Sequence, residues 1–138
     1  MTALEKFLSD IAPIEINQNA AQVAAKSKDY FWYSPILTEL LDSKVGDVII
    51  TPRSQADVIK IASKCAKHRL NITVRGGGTG NYGQCVPMQG GVILDITQLN
   101  GVLSISPGAV TCEAGILIAD LEQAVRADQV VSGGQEIL

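Results

Sequence analysis

"DVIITPRSQADVIKIASKCAKHRLNITVRGGG", Asp47 to Gly78, carries the pattern that decides the fold. Its first part, "DVIIT", is a compact apolar run ended by Pro52, which suits a buried strand stopped at a turn. Ser54 then stands where a helix N-cap belongs, with Asp57 in the first turn. Val58, Ile61, Ala62, Cys65 and Ala66 recur at helical spacing and form one apolar face. "NITVR" reads as a second strand, and "GGVILDI" further on as a third. Strand, helix, strand in this order predicts a right-handed parallel crossover with the helix against the sheet. The glycines leave the carboxyl end of the second strand, where open α/β sheets bind ligands.

The loop continues as "TGNYGQ", so that five of the eight residues from Gly76 to Gly83 are glycine and none is acidic. Gly78, Gly80 and Gly83 satisfy G-x-G-x-x-G, the dinucleotide fingerprint. That fingerprint needs a helix directly after it, whose N-terminus faces the pyrophosphate. Here "QCVPMQGG" follows, and Pro87, Gly90 and Gly91 leave no room for a helix before the next strand. A Walker loop is excluded because Gly-Lys-Ser/Thr does not occur. Two readings remain. Consecutive glycines can gather several backbone N–H groups into a nest that binds phosphate without a helix dipole, with Arg75 adding charge and Thr79 and Asn81 adding hydrogen bonds. The alternative is a glycine-rich turn between two strands, although a turn needs one or two glycines rather than five.

Working outward, "VLSISPGAVTCEAG" predicts two antiparallel strands around a turn at Pro107-Gly108, and "ILIADLEQAVRAD" an amphipathic helix with Leu117, Leu121, Ala124 and Val125 on one side. On the amino-terminal side the chain reads as helical. Thr2 and Glu5 have capping-box spacing, and Leu4, Phe7, Leu8 and Ile11 follow at helical intervals. Tyr30, Phe31, Trp32 and Tyr33 crowd together before Pro35 and read as a hydrophobic anchor or subunit contact, with a substrate or cofactor contact as the alternative. The composition shift near Gly46 divides the chain into a helical arm, residues 1–44, and a second unit, residues 45–138.

With 138 residues the chain has the length of about one domain. Its apolar content of 46% with 18% charged residues fits a globular class. A net charge of -3 removes the broad basic footprint that nucleic-acid binding requires, so an anion must be held locally. No apolar stretch approaches the roughly 20 residues of a membrane span, and the first residues lack the basic start and apolar run of a signal peptide. The three cysteines, Cys65, Cys85 and Cys112, are odd in number and far apart, with no metal-ligand spacing, which points to a reduced cytoplasmic chain without a metal site. His68 reads as a solvated helix end, Cys85 as a small apolar filler, and Asp95 and Glu113 as strand-end residues that cap turns or bind loop amides. No nucleophile-base pair emerges.

"TPRSQADVIKIASKCAKHRLNITVRGGGTGNYGQCVPMQGGVILDI", followed by "VTCEAGILIADL", resembles the FAD-binding domain of FAD-linked oxidases, the family of vanillyl-alcohol oxidase, p-cresol methylhydroxylase and the D-lactate and glycolate dehydrogenases. The likeness runs from Thr51 to the end and rests on Pro52, the helix after it, Val74 to Thr79, the Val92 to Asp95 strand and Glu113-Ala114-Gly115. It implies an α+β fold: a small parallel sheet with flanking helices and the start of a second, mainly antiparallel subdomain. It further implies a flavin-dependent oxidoreductase acting on a 2-hydroxy acid, an alcohol or a phenol. Arg75, Gly76, Gly77, Gly78, Thr79 and Gly80 would hold the FAD pyrophosphate, with Asn81, Tyr82, Gly83 and Gln84 on the path to the flavin ring. Thr79 stands where covalent members often carry histidine, so the flavin is expected to be non-covalent. Gly133-Gly134 resembles the lead-in to a second FAD-binding segment; that segment and the substrate domain are expected beyond this piece, which by itself should be inactive and prone to self-association. Two other readings stay open: a reductase acting on UDP-N-acetylenolpyruvoylglucosamine, whose loop is usually of a Gly-Ser-Asn kind, and a non-catalytic module that folds without cofactor.

Overall fold

The computed structural model describes residues 1–131. Five α-helices and six β-strands make up this length. They are α1 (Ala3–Ile11), β1 (Glu15–Asn17), α2 (Ala20–Lys26), α3 (Pro35–Leu41), β2 (Val48–Thr51), α4 (Gln55–His68), β3 (Ile72–Arg75), β4 (Val92–Asp95), β5 (Val102–Ser106), β6 (Ala109–Cys112) and α5 (Ile118–Val131). A single 3-10 turn, Phe31–Tyr33, lies between α2 and α3. Gly133-Gly134 falls outside the described residues.

Helix starts follow local chemistry. The Thr2 hydroxyl accepts the Glu5 amide at 3.2 Å while the Glu5 carboxylate accepts the Thr2 amide at 2.7 Å, so the capping box is complete. Ser54 caps α4 through the Asp57 amide at 3.1 Å, and Ser34 caps α3 with Pro35 in the first turn. Asp57 in return accepts the Arg53 amide at 3.0 Å, and that bond holds its carboxyl below the usual carboxylate range.

The main sheet has the order β1-β2-β4-β3. Strands β2, β4 and β3 are parallel, and β1 pairs antiparallel with β2. The strand-helix-strand unit is therefore parallel as the sequence predicts, but β4 lies between β2 and β3. All four residues of β4 are buried, whereas exposed and half-buried residues alternate along β3. The fully buried strand lies inside the sheet and the half-exposed one at the edge, since only an inner strand is covered on both faces. The amino-terminal region differs from the all-helical expectation in one element, β1, which is too short to show a periodic pattern.

One sheet face packs Val48, Ile50, Val92 and Leu94 against Phe7 and Ile11 of α1 and Ile61 and Cys65 of α4. The other face sets Ile49 and Ile93 against Val23 of α2. Each fully buried side chain of this size contributes about 1.5–3 kcal/mol. Beyond the sheet, β5 and β6 form an antiparallel hairpin turning at Gly108, with a register shift between Val102 and Ser104. Gly115 joins this hairpin to α5 at very close range: a Cβ there would lie 1.8 Å from the Ile96 carbonyl oxygen, so only glycine fits.

His68 corrects the expectation of a solvated helix end. It packs edge-on to Phe7 and its Nε2 stands 3.0 Å from Asp10 Oδ2, so that its side chain is only 11% exposed. The same carboxylate also meets Lys67 at 2.8 Å and Lys64 at 3.4 Å. Hydrogen bonds from Lys67 and His68 hold the Asp10 carboxyl far below the usual range, pinning α1 to α4.

Candidate functional site: the glycine loop

The three parallel strands end at Thr51, Asp95 and Arg75, and the glycine loop leaves from the last of these. No helix intervenes before β4, in keeping with the breaker residues read there. Among the described residues, the backbone amides of Gly77, Gly78, Thr79, Gly80 and Asn81 donate no hydrogen bond within the chain. These residues are exposed or half-buried, so the amides are open to water or to a ligand. The next two amides are used internally: Tyr82 donates to Gln84 Oε1 at 3.1 Å, and Gly83 to Asp29 Oδ2 at 2.9 Å. Side chains of Thr79, Asn81, Tyr82 and Gln84 are exposed.

Gly76 faces open space, with no atom within 4 Å of where a Cβ would stand. Gly78 is different. Its φ of 68° lies in the left-handed region, and a Cβ there would meet Arg75 Nη2 at 2.0 Å. Leu117, just before α5, borders the loop on another side, 3.9 Å from a Cβ at Gly77.

Arg75 was expected to add charge to the nest. Its guanidinium instead lies behind Gly78, where Nη1 donates to the Lys26 carbonyl at 3.0 Å and to the Lys28 carbonyl, and stands 3.3 Å from Cys85 Sγ. Its Nε is buried without a hydrogen-bond partner among the described residues. The positive charge is thus close to the loop but directed at main-chain oxygens. Cys85 is buried, as an apolar filler would be, and that burial pushes its thiol upward against the opposing pull of Arg75.

Sequence reasoning missed Asp29. It is 2% exposed and accepts the Phe31 amide on Oδ1 and the Gly83 amide on Oδ2, both at 2.9 Å, while the adjoining Tyr30 amide donates to the Gly80 carbonyl at 2.8 Å. An acidic residue at the head of the apolar run "DYFWY" was the signal available. Asp95 and Glu113 do bind loop amides. Glu113 Oε2 accepts from Gly101 at 2.8 Å, and Asp95 Oδ1 accepts from Thr97 while its Oδ2 pairs with Lys26 at 2.7 Å. Burial alone would raise the Asp95 carboxyl, but the Lys26 and Thr97 bonds outweigh it and hold it below the usual range. Among the described residues no group of three or more His, Cys, Asp or Glu is placed to hold a metal, and no helix is long and apolar enough to cross a membrane.

The parallel sheet thus delivers a glycine loop with five amides that have no partner among the described residues, and no helix opens behind it. Residues 46–135 match the family model described as FAD binding domain, and the chain belongs to that family. It is 38% identical over 101 residues to D-2-hydroxyglutarate dehydrogenase of Escherichia coli, a match covering 66% of this chain and 10% of that protein. It is 31% identical over 83 residues to glycolate oxidase subunit GlcD of Bacillus subtilis, covering 59% and 18%. Its fold superposes on p-cresol methylhydroxylase with a TM-score of 0.74 at 15% identity, over 92% of this chain and 25% of that one. The chain thus has the p-cresol methylhydroxylase type of FAD-binding fold, and spans only 10% to 18% of the length of these two relatives. The cofactor of the family is FAD.

Proposed function

We propose that this domain holds the pyrophosphate of non-covalently bound FAD on the amides of Gly77 to Asn81, within a flavin-dependent oxidoreductase that acts on a 2-hydroxy acid. The row of unpartnered amides carries the reading: a pyrophosphate is an acceptor-only group and needs several converging donors. The absence of side chains at Gly76 and Gly77 lets an anion reach the main chain, and the Arg75 guanidinium behind Gly78 adds favourable charge without contact. Thr79 and Asn81 would supply side-chain hydrogen bonds to the pyrophosphate, and Tyr82, Gly83 and Gln84 would follow on the path toward the flavin. When bound, FAD accepts the substrate hydride, and the protein contributes binding, orientation and electrostatics.

The 2-hydroxy acid class is supported by the names of the two relatives, D-2-hydroxyglutarate dehydrogenase and a glycolate oxidase subunit. Substrate chemistry is assigned to regions outside residues 1–138, in keeping with the small share of those relatives that the domain represents. Three free cysteines support a reducing, cytoplasmic setting. Self-association of the 138-residue chain is supported by the edge position of β3, whose Ile72 and Val74 are exposed.

Titrating the complete apoprotein with FAD, with ADP as competitor, tests the proposal. One FAD per chain, displaced by ADP, is expected. Flavin binding that ADP leaves untouched would remove the pyrophosphate from this loop.

A further inference from the structure

A carboxylate beside a site meant for an anion is an electrostatic liability, and Asp29 is one: a Cβ at Gly80 would lie 3.3 Å from its Oδ2. Its place there calls for an offsetting role, and the hydrogen bonds supply one. Oδ1 is fixed by the Phe31 amide, which aims Oδ2 at the Gly83 amide across 54 residues of chain. The next amide, Tyr30, donates to the Gly80 carbonyl. These two loop bonds run in opposite senses between the same two segments, so residues 29–30 grip both ends of the Gly80 to Gly83 turn. One consequence is geometric, because the last two unpartnered amides, Gly80 and Asn81, belong to the gripped turn. The other is chemical. Carbonyl oxygens repel phosphate, and here Gly80 O is covered by Tyr30, as Lys26 O and Lys28 O are by Arg75.

We infer that Asp29 is a positioning residue for the FAD pyrophosphate, acting through the Gly80 to Gly83 turn rather than on the phosphate itself; this rests on the FAD reading above. Charge and geometry predict opposite signs for its removal. Loss of a nearby negative charge alone tightens anion binding, whereas loss of the grip weakens it.

The test uses the complete protein with Asp29→Asn and Asp29→Ala, measuring FAD affinity by flavin fluorescence, ADP affinity by competition, and apoprotein melting by circular dichroism. Asparagine keeps the shape but offers one acceptor oxygen where two are needed, so FAD and ADP should both bind about tenfold more weakly, with the fold kept and melting lowered by only a few degrees. Alanine should weaken both by roughly a hundredfold. If the alanine variant does not fold, the isosteric asparagine variant carries the test alone. Asp29→Asn binding FAD as tightly as wild type, or more tightly, would overturn the assignment. So would a loss for FAD with ADP unchanged, since the residue would then act at the flavin ring. A wild-type protein that binds neither ligand would overturn the FAD reading and the assignment with it.

Discussion

Gly78 sits directly on the Arg75 guanidinium, at a distance that leaves no space for a side chain: a Cβ would fall 2.0 Å from Nη2 and 2.3 Å from Cζ. The residue that opens the loop and the residue that bends it are therefore one packing unit. Substituting Gly78 disturbs both the left-handed backbone and the Arg75 anchor, at a cost of roughly 1–3 kcal/mol, and cannot isolate phosphate binding.

Gly76→Ala separates the two effects. Its Cβ meets nothing and its φ is not left-handed, so stability should hold or rise by up to roughly 1 kcal/mol. A methyl on the open face should nonetheless weaken FAD by at least about tenfold, the equivalent of one charge-assisted hydrogen bond of roughly 1.5 kcal/mol. Unchanged flavin content in this variant would remove the amide nest as the binding element.

The flavin should leave the protein on acid precipitation. Thr79 offers no linking nitrogen, and the buried Cys85 thiol, with its ionisation pushed upward, is a poor nucleophile. Flavin retained on a peptide that includes Cys85 would contradict this.

Acid should loosen α1 from α4. The Asp10 carboxyl ionises far below its ordinary value of 3.8 because Lys67, His68 and Lys64 face it. A depressed folded pKa means that the linked stability is fully present above about pH 4 and is lost as pH falls through the folded value. Melting temperature measured from pH 7 to pH 2 should fall more steeply for wild type than for Asp10→Asn, which starts lower at pH 7. Parallel curves would place the acid sensitivity elsewhere.

The edge of β3 should govern association of the 138-residue chain. Ile72 and Val74 are 39% and 53% exposed beside an unpaired strand edge, next to a groove of about 440 Å³ that Val86 and Met88 also line. Sedimentation should show mass rising with concentration, and Val74→Lys should keep the chain monomeric. Wild type remaining monomeric throughout would remove this edge as a contact.

Much of the local structure is legible in the residues themselves. Thr2 with Glu5 and Ser54 with Asp57 specify two helix starts because a cap and its partner amide are three residues apart. "DVIIT", "NITVR" and "GGVILDI" read as strands from their short apolar or alternating patterns, and Pro107-Gly108 as a hairpin turn from the conformations those residues permit. Five glycines mark the loop as either an anion nest or a glycine-rich turn, and the breakers after it remove a dinucleotide-type helix.

What the residues could not disclose is which segments meet. β4 enters between β2 and β3 because its Val92, Ile93 and Leu94 gain from cover on both faces. His68 reaches Asp10 across 58 residues, Arg75 reaches the Lys26 carbonyl across 49, and Asp29 reaches Gly83 across 54. No spacing rule covers such separations, since they depend on how helices settle on a sheet. Caps, periodicity and glycine act over a few residues, so the sequence specifies most of the elements and the glycine-rich loop, though not β1. Only the tertiary structure decided that Arg75 turns behind the loop and that Asp29 holds its far end, because a buried charge takes whatever hydrogen-bond partners packing brings within reach.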